Sequence, residues 1–149
     1  MSTTLGPYIL VNRGHEALEW YKRALGADVQ NVSDGPNGKL MHSVVHIGDD
    51  SFFVAEDQPE MGGPMMSPTR ANGTTFSFYL MVENADKTYD RAMKAGASEV
   101  MKPQDAFWGH RWAMFADPYG HVWQVAHVKE ELSHEEMVER GKAAMAEMK

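Results

Sequence analysis

At 149 residues the chain has room for one compact domain, and 43% hydrophobic with 23% charged residues is the ordinary balance of a core under a solvated surface. The absence of cysteine excludes disulfides, thiolate metal sites and cysteine nucleophiles, so any chemistry here uses oxygen and imidazole. Fourteen basic against 21 acidic residues, a net charge of −7, argue against nucleic acid as a partner.

In chain order, Tyr8-Ile9-Leu10-Val11 is an apolar run suited to a strand, and Ala17, Leu18, Tyr21, Ala24 and Leu25 recur at helical spacing up to Gly26, a normal helix stop. Asp28 to Ser33 reads as a strand, Asp34-Gly35-Pro36-Asn37-Gly38 as a turn, Leu40 to Ile47 as a second strand, and Ser51 to Glu56 as a third. Residues 58–73 hold three prolines and no regular apolar period, which marks a linker. Thr75 to Val82 alternates and is aromatic; Asn84 can cap a helix with Ala85, Tyr89, Ala92 and Met93 on its buried stripe before Gly96. Three further strands follow at Glu99 to Lys102, Trp112 to Ala116 and His121 to His127, the last two joined by the turn pattern Asp117-Pro118-Tyr119-Gly120. From Ser133, with Glu136 completing a capping box, a helix carries Met137, Val138, Gly141, Ala144, Met145 and Met148 as a stripe, which docks on a partner subunit or on the chain's own barrel.

The order strand, helix, strand, strand, strand therefore occurs twice, with Gly26-Ala27 and Gly96-Ala97 lying 70 positions apart. Ala17-Leu18-Glu19-Trp20-Tyr21, Lys39-Leu40-Met41-His42, Phe107-Trp108-Gly109-His110-Arg111 and Asp117-Pro118-Tyr119-Gly120-His121-Val122-Trp123 resemble, in order, the vicinal oxygen chelate superfamily (glyoxalase, bleomycin resistance protein, dioxygenase), and within it the PhnB-like branch. The resemblance covers about residues 5–130, and Asp-Pro-x-Gly-His-x-Trp is its most specific stretch. It implies an α+β fold: two βαβββ modules (residues 5–57 and 74–130) forming a curved mixed sheet within one domain, 1–130, followed by a C-terminal helix, 131–149.

The same resemblance implies a ligand on the concave face. Metal-dependent relatives place a His or Glu at the start of the first strand and on the last strand of each module; the corresponding positions here are Gly6, Val54, Ser77 and Gln124, none of them imidazole or carboxylate. A slip of two residues recovers only Glu56, so no metal and no other cofactor is expected. By alternation His42, Val44 and His46 share one strand face, but imidazoles about 13 Å apart along a strand at ~3.3 Å per residue cannot share one metal. Trp108, His110 and Arg111 flank a glycine in a loop before a strand, where Arg111 is placed to clamp an anion. Alternation puts Tyr8, Phe52, Val54, Tyr79, Met81 and Trp112 or Met114 on the concave lining, and Trp123 opposite Gln124.

The expected function is that of a small-molecule binding protein, metal-free and homodimeric, holding an apolar or aromatic ligand among aromatics and methionines, of which there are 12. One alternative is a glyoxalase-like lyase or isomerase, or a dioxygenase, using Glu56, His42, His46 or His110 in an unusual metal or acid-base site. Another is an interaction module with a vestigial pocket. No run approaches the roughly 18 apolar residues of a membrane span and residues 1–6 show no export pattern, so no membrane partner and a cytoplasmic location are expected.

Overall fold

A computed structural model describes residues 2–148. Module 1 comprises β1 (Tyr8–Val11), α1 (Gly14–Leu25), β2 (Asp28–Asp34), β3 (Leu40–Ile47) and β4 (Asp50–Glu56); module 2 comprises β5 (Ser77–Met81), α3 (Ala85–Lys94), β6 (Ser98–Asp105), β7 (His110–Ala116) and β8 (Val122–Val128). Between them lie a single 3-10 turn at Pro59–Met61 and a one-turn helix, α2 (Pro68–Ala71); after them comes α4 (His134–Glu147). Each module is a four-stranded mixed sheet, ordered β1-β4-β3-β2 and β5-β8-β7-β6, with the first strand parallel to the last. The two expected βαβββ units and the C-terminal helix are present.

Local chemistry explains the element ends. Gly26 closes α1 in the left-handed region (φ 67°), donating its N–H to the Lys22 carbonyl, a conformation that favours glycine. The N-termini of α1 and α3 are capped from the last strand of their own module: Glu56 Oε1 accepts from Gly14 N at 3.0 Å, and His127 Nδ1 accepts from Ala85 N at 2.9 Å. A side chain at Gly14 would bring its Cβ within 2.6 Å of Leu40 Cβ, so the start of α1 meets β3 only through glycine. Ser133 and Glu136 form the capping box of α4.

One face of each sheet carries its helix, and the two helix layers meet in a single core that includes Ile9, Val11, Leu18, Trp20, Tyr21, Val45, Phe115, Trp123 and Val125. Trp20 Nε1 donates to the Ala95 carbonyl at 2.8 Å, His121 Nε2 to the Leu10 carbonyl at 2.8 Å, and Tyr119 OH to Glu16 at 3.0 Å. All three bonds cross from one module to the other. At their centre is Asp117, which is 3% exposed. Its Oδ1 accepts from Tyr119 N (2.9 Å) and His121 N (3.0 Å), holding its own turn; its Oδ2 accepts from Tyr21 OH (2.7 Å) and Trp123 Nε1 (3.0 Å). Burial raises this carboxyl above its ordinary value, against the pull of the bonds from Trp123 and Tyr21, and it accepts from three N–H groups that can only donate. The Asp-Pro-x-Gly-His-x-Trp stretch is thus a structural knot.

The segment 58–73 has structure beyond that of a linker. Asp57, at the end of β4, takes a bidentate pair from Arg70 of α2 (Nε 2.8 Å, Nη2 2.8 Å) and the Ser67 N–H at 2.7 Å. The Arg70 guanidinium holds the Asp57 carboxyl well down, at about 2. A carboxyl depressed in the folded chain stabilises it above the unfolded value near 4 and loses that contribution as pH falls towards 2. With Arg70 a third exposed, about 1–2 kcal/mol is at stake. Urea melts of the wild-type chain should show that loss between pH 4 and 2, and Asp57→Asn should be less stable at pH 6 while losing correspondingly less in that window.

Candidate functional site

The face of each sheet opposite its helix is bare of that module's helix. Ladder register assigns Tyr8, Leu10, Phe53, Ala55, Val44, His42 and His46 to this face in module 1, because Tyr8 pairs with Phe53, Leu10 with Ala55 and Val44 with Phe53. Phe52 and Val54 lie on the opposite, helix-packed face: Phe52 sits edge-on to Tyr21 (5.6 Å) and beside Phe78 (5.1 Å), and Val54 is wholly buried. The expectation that these two line the concavity is corrected by a one-residue phase error, which moves every side chain of a strand to the other face. Glu56 is likewise removed from any ligand or acid-base role by its bond to the α1 N-terminus. The His42 ring stacks on Phe53 (5.7 Å) and lies near Tyr8 (6.2 Å), and among the described residues no His, Asp or Glu joins His42 and His46 as a third ligand.

In module 2 the bare face carries Ser77, Tyr79, Met81, Gln124, His110, Trp112 and Met114, by the pairings of β5 with β8 and of β7 with β8. Two hydrogen-bond chains run across it. Trp112 Nε1 donates to Gln124 Oε1 (2.9 Å), and Gln124 Nε2 donates to Ser77 Oγ (2.8 Å). Trp108 Nε1 donates to the Tyr79 oxygen (3.0 Å), and the Tyr79 hydroxyl shares a hydrogen bond with His110 Nδ1 (2.8 Å), in which Tyr79 is the donor when the His110 proton sits on Nε2. In that tautomer one lone pair of Tyr79 remains for a donor from outside. Arg111 points the other way, into two hydrogen bonds with Asp86 (3.2 and 3.0 Å) and one with Asp105 (3.3 Å). It ties β7 to the first turn of α3, and the expected anion clamp is corrected: strand alternation sends it opposite His110 and Trp112.

The indoles of Trp108 and Trp112 meet at 5.7 Å, nearly edge to face, and Phe107 abuts Trp108 at 4.9 Å. They form one wall of a cleft of about 510 Å³ whose other wall is α4, through Arg140 and Ala144, with Glu130 at the edge. Gly109 makes this corner possible: at φ 90° its carbonyl accepts both Lys129 N and Glu130 N, and a Cβ there would lie 2.5 Å from the Glu130 carbonyl oxygen. In the α4 stripe Met137, Gly141 and Ala144 are half-buried, Gly141 lying against the Phe107 ring; Met145 and Met148 stay exposed. Arg140 pairs with Glu130 at 2.5 Å. Sequence reasoning placed Trp108 and Trp112 at the site but missed Phe107 and the roof from α4, whose only signal was the apolar stripe.

The four positions where metal-dependent relatives hold their ion do not fit one here. Gly6 offers no donor and a Cβ on it would meet the Phe53 ring at 3.2 Å; Val54 is in the core; Ser77 and Gln124 are neutral and bonded to each other. Among the described residues no three His, Asp or Glu side chains come together. Among the described residues no helix is long and apolar enough to cross a membrane.

Residues 4–125 match the family model described as Glyoxalase/Bleomycin resistance protein/Dioxygenase superfamily. An uncharacterized protein of Mycobacterium bovis, Mb0911c, is 34% identical over 134 residues, spanning 89% of this chain and 88% of its own. Among solved structures, protein PA1353 of Pseudomonas aeruginosa superposes with a TM-score of 0.68 (23% identity, 87% of this chain, 100% of that one). TioX of Micromonospora sp. ML1 does so at 0.64 (21%, 88% and 100%), and TnmS3 of Streptomyces sp. CB03234, an antibiotic binding protein, at 0.59 (22%, 86% and 98%).

Proposed function

The chain belongs to the Glyoxalase/Bleomycin resistance protein/Dioxygenase superfamily, and from that premise we propose that it binds a planar, mainly apolar aromatic small molecule, without a metal, in the cleft between Trp108, Trp112 and α4. The observation that carries this reading is that both indole N–H groups are already spent, on Tyr79 and on Gln124. A ligand stacking on these indoles therefore meets their ring faces, not their N–H groups, while the polar side chains of the cleft, Gln104, Asp105, Glu130, Arg140 and Glu147, stand around its edge. Stacking on such faces adds about 0.5–1.5 kcal/mol beyond area burial, and about 510 Å³ lies in the range of small-molecule sites. The free lone pair of Tyr79 accepts from one hydroxyl or N–H of a ligand extending along the bare face. TnmS3 shares this fold, and its antibiotic binding supports ligand capture as the activity. We assign the chain to the PhnB-like branch on the Phe107 to Arg111 and Asp117 to Trp123 stretches.

Trp108 is half-buried, whereas Trp20 and Trp123 are almost fully enclosed, so ligand stacking should quench a distinct part of the indole emission. Titration with two- and three-ring aromatics, quinoline and acridine among them, is expected to give saturable quenching at one site per chain. Linear, unsaturable quenching by every compound would count against the reading.

Module 1 presents a different surface. Tyr8, Met41, Met61, Met65 and Met66 are each 44–68% exposed around the bare face and the 58–73 segment. Apolar exposure of this extent suits a protein partner, and we assign it to a second copy of the chain. Sedimentation equilibrium at micromolar concentration should return two chains; a single-chain mass that persists at 100-fold higher concentration would refute this.

A further inference from the structure

We propose that the helix-covered side of the molecule, away from the aromatic cleft, carries a phosphate-binding groove that bridges the two modules. An open groove of about 530 Å³ runs between the end of α1 and α3, lined by Arg23, Lys87, Arg91 and Lys94, with Asp90 the one acid in it. In a chain of net charge −7 this is a local positive island.

The other cations of the molecule are mostly committed. Arg13, Lys22, Lys39, Arg70, Arg111, Lys129, Arg140 and Lys142 each lie within ion-pair distance of a carboxylate. Among the described residues five Lys and Arg side chains do not, and four of those five line this groove; Lys102 is the fifth.

Helix dipoles explain part of the pattern. Arg23 is in the last turn of α1, and Arg91 and Lys94 in the last turn of α3, where cations are favoured. Lys87 is in the first turn of α3, where a cation opposes the dipole, so it has no such reason to be there. Arg91 is also pre-positioned. Its Nε donates to the Arg23 carbonyl at 2.9 Å, across the module boundary, and its Nη1 lies 3.5 Å from where a Cβ on Gly26 would be. One edge of the guanidinium is thus fixed and the two Nη groups are left for a ligand. A tethered fork beside three cations without an ion-pair partner matches a doubly charged tetrahedral oxyanion, which the fork engages through paired donors. The volume exceeds that of inorganic phosphate, leaving space for the organic part of a small phosphomonoester.

An anion held by Arg23 of module 1 and Arg91 of module 2 would staple the modules together, so binding is read as added thermal stability. The test compares 10 mM inorganic phosphate with sodium chloride of equal ionic strength, in the wild-type chain and in Lys87→Gln/Lys94→Gln, whose side chains make no ion pair. For a dissociation constant near 1 mM the melting temperature should rise by about 3 °C in the wild type beyond chloride, and by less than a third of that in the double variant. Phosphate also stabilises proteins non-specifically by exclusion from their surface, and that effect would appear equally in both chains. Equal rises, or no rise in the wild type, would overturn the proposal. Lys102→Gln, which removes the one unpaired Lys or Arg outside the groove among the described residues, should keep the full phosphate response.

Discussion

Replacing Asp117 with alanine should lower the stability of the chain by about 4 kcal/mol, a fall in melting temperature of roughly 10 °C or more for a domain of this size. The side chain is nearly sealed from water and accepts from Tyr119 N, His121 N, Tyr21 OH and Trp123 Nε1. Alanine would leave those donors buried with no acceptor, each costing about 1–3 kcal/mol before relaxation and water entry offset part of it. The loss also propagates. Tyr21 comes from α1 of one module and Trp123 from β8 of the other, so the carboxylate fastens the two helix layers whose opposite faces carry the site. Tyr21→Phe removes a single donor and should cost only about 1 kcal/mol. Urea denaturation at pH 7 measures both; a loss below 1 kcal/mol for Asp117→Ala would mean that the turn and the module junction hold without it.

The second large effect concerns the ligand. Trp108→Ala should weaken binding of a two- or three-ring aromatic by about 10- to 100-fold, the usual cost of removing a large anchoring ring. Stability should change little, because Trp108 stands on the loop before β7 and is half-buried. Trp108→Phe separates the two things the indole does: it keeps a ring face but frees the Tyr79 oxygen that Trp108 Nε1 occupies. Phenylalanine should therefore restore most of the affinity if stacking dominates, and calorimetric titration measures all three chains. If Trp108→Ala and the wild type bind equally, the aromatic wall is not the ligand's contact.

Much of the fold was legible because it is written twice. The two Gly-Ala pairs end α1 and α3, and Gly26 has the left-handed conformation for which its side chain is absent. The phase of β4 was not legible. Phe52-Phe53-Val54-Ala55 is apolar at every position, so alternation gives no sign of which residues face the helices, and only the pairing of Tyr8 with Phe53 decides it. Charged partners were hidden for another reason: Glu56 caps a helix starting 42 residues earlier, and Arg111 holds Asp86, 25 residues away. Neither separation shows in local spacing. The site was half legible, since Tyr79, Trp108, His110, Trp112 and Gln124 are brought together by strand neighbours that the repeat suggests. The roof from α4 was not, because an apolar stripe with Gly141 at its centre names no docking partner until Phe107 is seen beneath it.

A crystal structure of the chain with a saturating two- or three-ring aromatic tests the central claim most directly. The ligand should lie with its ring plane against Trp108, between the bare face of β7 and β8 and helix α4, with any hydroxyl or N–H directed at the Tyr79 oxygen and no metal between them. Ligand found instead against the Tyr8 and Met41 surface, or a cleft left empty at saturation, would contradict it.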